Sequence, residues 1–233
     1  MIEIDGILYD ADDYYYPNKL EVEINLLDKN KKAEWMISPK ELEKDNEISI
    51  RYVQDINGKN IDDQPLVIEN AFKELRLYGV HIHGICIKNK MLNHLHGFNE
   101  HMKCFEITEF LIRCALLQPS VIVYHLPLYR IIDVPHSAFK ISSHKIEGSK
   151  FMGESLFNLS SQYPEYSTSL RTSSQHSLLS YVVSLILLNN KQEAREYLTK
   201  NYPYDHGSKW WKIWLGSWLP VWLLQRLLYR DKT

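Results

Sequence analysis

The chain has 233 residues, a formal charge of −2 and a pI near 6.6. That is long enough for one good-sized domain, or a small one with a helical extension. The near-neutral balance, with no basic run interleaved with aromatics, excludes a nucleic-acid-binding groove of the usual electrostatic kind. Cys86, Cys104 and Cys114 are odd in number, lack close-pair spacing and lie in apolar surroundings, which reads as free buried thiols in a cytoplasmic setting. The N-terminal residues, Glu3 and Asp5 among them, have neither the basic region nor the apolar run of a signal peptide.

In chain order, residues 4–9 read as a short buried strand, and Asp10, Asp12 and Asp13 follow at its end. Carboxylates gathered so closely repel one another, and a cation such as magnesium or manganese bridging to a phosphate would neutralise them. A solvated acidic turn is the other reading of the same residues. Pro17 is placed to open a helix, with Leu20, Ile24 and Leu27 on one face. A charged turn over 29–32 ends it, and the segment to residue 45 reads as a polar surface excursion. Residues 48–53 alternate with a period near two, and Asn57-Gly58 supplies a tight turn, so a β-hairpin is expected there. A short helix over 71–78, a strand over 80–87 and a short helix over 89–95 follow. Glu106–Leu117 reads as a helix stopped by Pro119, before a strand over 121–124.

Beyond about residue 145 strand patterns vanish, and 151–163, 168–188 and 191–200 read as helices. The expected organisation is therefore an α/β domain over 1–145 and a helical extension over 146–233. Trp214, Trp218 and Trp222 are spaced by four and fall on one helical face, with cations nearby. The apolar run 213–224 is shorter than the roughly 20 residues that span a bilayer, and Pro220 would kink it. Two readings are open for 210–230: an interfacial helix on the inner face of the membrane, or a helix packed on its own domain.

His81 and His83 lie two apart on the predicted strand, and His94 and His96 repeat the spacing. Zinc needs three or four converging ligands, and no cysteine or histidine pattern completes such a set, so cleft lining or ordinary hydrogen bonding is the expectation. Neither a glycine-flanked nucleophile elbow nor a phosphate-binding loop ending in lysine and serine or threonine is present.

Four segments resemble, in order, the family-2-type glycosyltransferases of the GT-A fold. Residues 6–21 resemble their metal-binding segment, and Gly97-Phe98-Asn99-Glu100 the turn before the acceptor site. Glu106 to Arg113 resembles the helix opening that carries the catalytic base, and Pro127-Leu128-Tyr129-Arg130 the strand end that follows. The resemblance covers roughly residues 6 to 140. It implies a partial GT-A mixed sheet with helices, and inverting transfer of a sugar from a nucleotide-diphosphate donor to a glycan or lipid-linked acceptor.

By the same resemblance Asp12 and Asp13 would hold manganese or magnesium, Asp10 and Asp12 would serve the nucleotide sugar, and Arg130 would face the diphosphate. The family's base position holds Ile107, which cannot accept a proton, so Glu106 and Glu109 are the local substitutes. The family's histidine-serine pair stands later than usual, at His136-Ser137. Only nine residues precede Asp10 where the family has its nucleotide-binding half, so a partner chain or homodimer supplying that half is expected. The competing function is a non-catalytic remnant that binds glycan, membrane or protein.

Overall fold

The computed structural model describes residues 14–132, 142–201 and 213–218. The expected strand over 4–9, Asp10, Asp12, Asp13 and the His136-Ser137 pair lie outside the described residues. The chain divides into two compact units, one running to Glu100 and resuming from Glu106 to Lys140, the other holding His101–Phe105 and everything from Ile141 on.

The first unit is mixed α/β. Its elements are β1 (Tyr14–Tyr15), α1 (Lys19–Lys29), β2 (Trp35–Ile37), β3 (Lys40–Lys44), β4 (Glu47–Arg51), β5 (Leu66–Ile68), α2 (Ala71–Glu74), β6 (Ile85–Ile87), α3 (Asn89–His94), α4 (Glu106–Leu117), β7 (Val121–Val123) and β8 (Tyr129–Ile132). The strands form two four-stranded sheets, in the orders β1-β8-β3-β4 and β5-β7-β2-β6. Each sheet has a parallel pair at its centre, β3 with β8 and β2 with β7, flanked by antiparallel edges. Because β2 leads into β3 and β7 into β8, these pairs are two stretches of one ribbon, bent between the sheets. Pro39 and Pro127 lie in the bend, where a missing amide donor breaks no ladder. The amides of Tyr124 and Ser38 hold it closed, donating to the carbonyls of Ile37 (2.9 Å) and Gly84 (2.8 Å).

The segment read as a polar excursion is in fact the centre of the unit. Trp35, Met36 and Ile37 are fully buried in β2, and the Trp35 indole donates to the Gln118 carbonyl at 2.9 Å. Three apolar residues are too few for a period to show, and Lys-Glu-Leu-Glu-Lys of β3 looks like a solvated stretch although its side chains sort to two faces. The hairpin also differs from expectation. β3 and β4 join through Asp45 and Asn46, whose φ values of 53° and 65° make a two-residue turn matched to strand twist. Asn57-Gly58 makes a separate turn, inside the isolated bridge between Gln54 and Asn60.

α1 forms where expected but buries a different stripe. Its inward positions are Lys19, Glu23 and Leu27, while Leu20 is exposed. Lys19 and Glu23 form a buried ion pair one turn apart, and the Lys19 ammonium lies 5.0 Å from the centre of the Tyr15 ring. Burial raises the Glu23 carboxyl above its ordinary range, with Lys19 opposing. Burial, and then the Glu23 carboxylate, push the nearby Cys86 thiol up to about 12. That leaves Cys86 an inert thiol.

The second unit is helical, built from α5 (Ser142–Gln162), α6 (Ser167–Leu187) and α7 (Lys191–Asn201). A Cβ on Gly153 would come within 2.4 Å of Leu178, and the Ser174 hydroxyl donates to the Gly153 carbonyl at 2.7 Å. Glycine is therefore what lets α5 and α6 lie so close. Asn189, at φ 64°, turns the chain from α6 into α7. Leu178, Val182, Leu185, Ile186, Ala194 and Leu198 form the core, and Ile213 and Trp214 pack against it. Trp218 is exposed, with the Arg195 guanidinium 4.4 Å from its ring centre. No helix among the described residues is long and apolar enough to cross a membrane.

One glycine tests the bend directly. A Cβ on Gly84 would lie 2.7 Å from the Ser38 carbonyl oxygen and 2.8 Å from the Tyr129 hydroxyl. The first of these is backbone and cannot swing aside. Gly84→Ala should therefore destabilise the fold by about 1–3 kcal/mol in a urea titration, as overpacking does.

Candidate functional site

In paired strands, directly opposed residues point to the same side of the sheet. The register of the β1-β8-β3-β4 sheet sets Tyr14 opposite Arg130, Arg130 opposite Glu41, Ile132 opposite Glu43, and Ile48 and Ile50 opposite Glu43 and Glu41. One face therefore carries Tyr14, Tyr16, Arg130, Glu41 and Glu43, rimmed by exposed Ile48, Ile50 and Ile132. The other carries Tyr15, Tyr129, Lys40 and Arg51.

On the first face Arg130 is the hub. Its Nε donates to Glu41 Oε2 at 2.9 Å, Nη1 to Glu43 Oε2 at 3.2 Å and Nη2 to the Tyr16 hydroxyl at 3.3 Å. Tyr16 in turn donates to Glu41 Oε2. Partial burial and the adjacent Glu41 raise the Tyr16 phenol, and the hydrogen bonds that the guanidinium donates to Glu41 and Tyr16 hold it charged. One cation among two carboxylates leaves a net charge of −1. The resemblance gives Arg130 a diphosphate contact, but its charge is already answered by Glu41 and Glu43, and the group as it stands suits a cation or a hydroxyl better than an anion.

On the second face Tyr15 bonds His83 Nδ1 at 2.7 Å. The His81 ring lies 5.0 Å from that of His83 and stacks at 6.1 Å on Tyr129. These histidines are not on a strand as expected. A 3-10 turn, Ile82–Gly84, carries them into β6, so Gly84 can reach the bend. His81 Nδ1 is buried without a hydrogen-bond partner among the described residues, and burial, then Lys40, then His83 lower its pKa to about 3. His94 and His96 are exposed near the end of α3. Among the described residues no group of three or more His, Cys, Asp or Glu could hold a metal ion.

The two glutamates expected to act as base stand at the head of α4, and the structure gives them different places. Glu109 is buried, with both oxygens taken by Arg113 at 2.9–3.0 Å. Arg113 also donates to the carbonyls of Leu95 (2.7 Å) and Gly97 (2.8 Å), so the pair clamps the Leu95–Gly97 turn onto the helix. Glu109 thereby anchors that turn through Arg113. Glu106 is only half-buried, in the first turn of α4. The partners of Arg130 are Glu41, Glu43 and Tyr16, not Glu106 or Glu109. Sequence reasoning missed Tyr16, Glu41 and Glu43. The available signal was two glutamates two apart in a charged segment, legible only once that segment is recognised as a strand.

Two outcomes follow from these geometries. Arg113→Leu removes the cation that bonds both oxygens of a buried carboxylate and should cost about 3–5 kcal/mol in chemical denaturation, whereas Glu106→Gln should leave stability nearly unchanged. His81 favours its neutral form in the fold, so its contribution is complete above pH 6.5 and declines as pH falls toward 3. Roughly 1 kcal/mol should be lost between pH 6.5 and 5.5, and His81→Phe should flatten that slope in thermal melts across the same interval.

Compared with family models, with curated proteins and with solved structures, the chain finds no match.

Proposed function

We propose that this chain is a glycosyltransferase-like protein of GT-A type, taking a nucleotide-diphosphate sugar with magnesium or manganese and serving a glycan or lipid-linked acceptor. One observation carries the reading. Tyr14, bonded directly to Asp13, pairs with Arg130 from more than a hundred residues away, so two segments of the resemblance meet at one sheet edge. Support also comes from α4, which begins at Glu106, the head of the helix expected to carry the base.

Hard carboxylate oxygens such as those of Asp12 and Asp13 suit either ion. The cation would stabilise charge developing on a leaving diphosphate. The chain's own residues then have distinct tasks. Arg130, held by Glu41 and Glu43, fixes the position of the Tyr16 hydroxyl. Glu106 is the carboxylate left to take a proton from an acceptor hydroxyl, since Ile107 cannot and Glu109 is held by Arg113.

A second reading is favoured by that same pair: a relative that binds a nucleotide sugar or glycan without turning it over. Calorimetric titration with nucleotide-diphosphate sugars, with and without manganese, separates the cases. Binding should require the metal and disappear in the Asp12→Ala/Asp13→Ala variant, and the absence of any binding by a well-folded chain would overturn both readings. In a transfer assay Glu106→Gln should lower turnover by about 10²-fold or more. Binding without turnover would select the second reading.

A further inference from the structure

The second face of the same sheet opens onto a cleft of about 500 Å³, distinct from the Arg130 cluster on the first face. Three cations line it, Lys40, Arg51 and Arg76, and no aspartate or glutamate does. Lys40 and Arg51 are directly opposed across the β3–β4 pair. Like charges so placed destabilise a sheet. The Arg51 side chain has no hydrogen bond or ion pair among the described residues, and the Lys40 ammonium reaches only the Gly79 carbonyl, at 3.3 Å. Burial and Arg51 together lower the Lys40 pKa from its ordinary value.

Arg76 is aimed by the backbone. Its Nε donates to the Ile56 carbonyl at 3.2 Å, and its guanidinium lies 3.1–3.3 Å from where a Cβ of Gly58 would be. Gly58, at φ 85°, suits the turn, and its missing Cβ leaves the Arg76 guanidinium room to pack against it. An independent observation comes from the bottom of the cleft. Ser38 is 2% exposed and lines it, yet its hydroxyl has no hydrogen-bond partner among the described residues. A buried hydroxyl left without a partner costs about 1–3 kcal/mol. Tyr52 and Tyr78 add rings to the wall.

We propose that this cleft binds a phosphate ester of a small polar molecule, with Arg51, Arg76 and Lys40 holding the phosphate and Ser38 supplying a hydroxyl to the ligand. The charge selects the group. A doubly charged phosphate answers most of three cations, whereas a single carboxylate leaves two of them unanswered. The volume suits a hexose phosphate. The site needs no metal and none of the aspartates at 10–13, so it stands apart from the nucleotide-sugar reading.

The test is calorimetric titration of the full chain, in a chelator, with glucose 6-phosphate, inorganic phosphate, glucuronate and glucose. Glucose 6-phosphate should bind with a millimolar or tighter Kd, and glucose should not bind. Arg51→Ala should weaken binding tenfold or more while raising the melting temperature of the free protein, because it removes the repulsion with Lys40. Ser38→Ala should weaken binding without lowering that temperature, and Asp12→Ala/Asp13→Ala should bind normally. No binding of glucose 6-phosphate, equal binding by the Arg51→Ala chain, or glucuronate binding as tightly as glucose 6-phosphate would each overturn the proposal. Inorganic phosphate binding as tightly as the ester would overturn the assignment of a polar moiety to the rest of the cleft.

Discussion

The α/β unit depends on the close approach of Gly84 to Ser38 at the bend between its two sheets. The Ser38 amide donates to the Gly84 carbonyl at 2.8 Å, and Gly84 has no room for a side chain between the Ser38 carbonyl and the Tyr129 hydroxyl. That contact joins three parts of the chain far apart in sequence: the β2–β3 junction, the 3-10 turn before β6, and the start of β8. The same contact fixes where His81 and His83 lie against Tyr15 and Tyr129. It also buries the Ser38 side chain at the bottom of the cationic cleft. A packing constraint of the fold and the geometry of both sheet faces are therefore one arrangement.

Given that register, the pleat sorts the charges. β3 reads Lys-Glu-Leu-Glu-Lys, so Glu41 and Glu43 turn to the Arg130 side and Lys40 to the cleft side. The result is a sheet whose faces carry opposite net charge within about one strand's thickness, on the order of 10 Å. A one-residue slip of β3 would exchange the two sets and place glutamates in the cleft and a lysine beside Arg130. The Asp45-Asn46 turn opposes such a slip, because its two residues at positive φ fix the loop length that sets the register.

The helices were legible in the sequence and the strands less so, for physical reasons visible in particular residues. α4 runs from Glu106 to Leu117 as its apolar period and Pro119 indicate, and α3, α6 and α7 lie within a residue or two of expectation, whereas α5 begins at Ser142 rather than 151 and α2 ends at Glu74 rather than 78. Long amphipathic repeats carry their own evidence. β2 does not, since three buried residues between charged neighbours show no period. The histidine segment alternates like a strand, but Gly84 must meet Ser38 across the bend, and that tertiary demand turns residues 82–84 into a 3-10 helix. Of the residues that the resemblance singled out, Arg130 is the hub of the cluster on the first sheet face and Glu106 opens α4. Glu41, Glu43, Arg51 and Arg76 were not singled out, because their groupings join residues far apart in the sequence.

The head of α4 shows how a residue type can point to chemistry and serve packing instead. Glu106 and Glu109 are equivalent in sequence terms, acidic residues in the first turn where the helix dipole favours them. What separates them is Arg113, one turn beyond Glu109, which holds both oxygens of that carboxylate while capping two carbonyls of the Leu95–Gly97 turn. His96 and Gly97 both adopt positive φ there, a conformation that costs His96 energy and leaves the Leu95 and Gly97 carbonyls pointing at the helix. A half-buried arginine with one carboxylate and two carbonyls to bond is nearly satisfied, and the carboxylate it holds is committed to packing the turn onto the helix. Glu106 has no such arginine one turn ahead, since residue 110 is Phe110. Of two like residues in one helical turn, one is committed to packing and the other is not, and only the position of an arginine in the fold separates them.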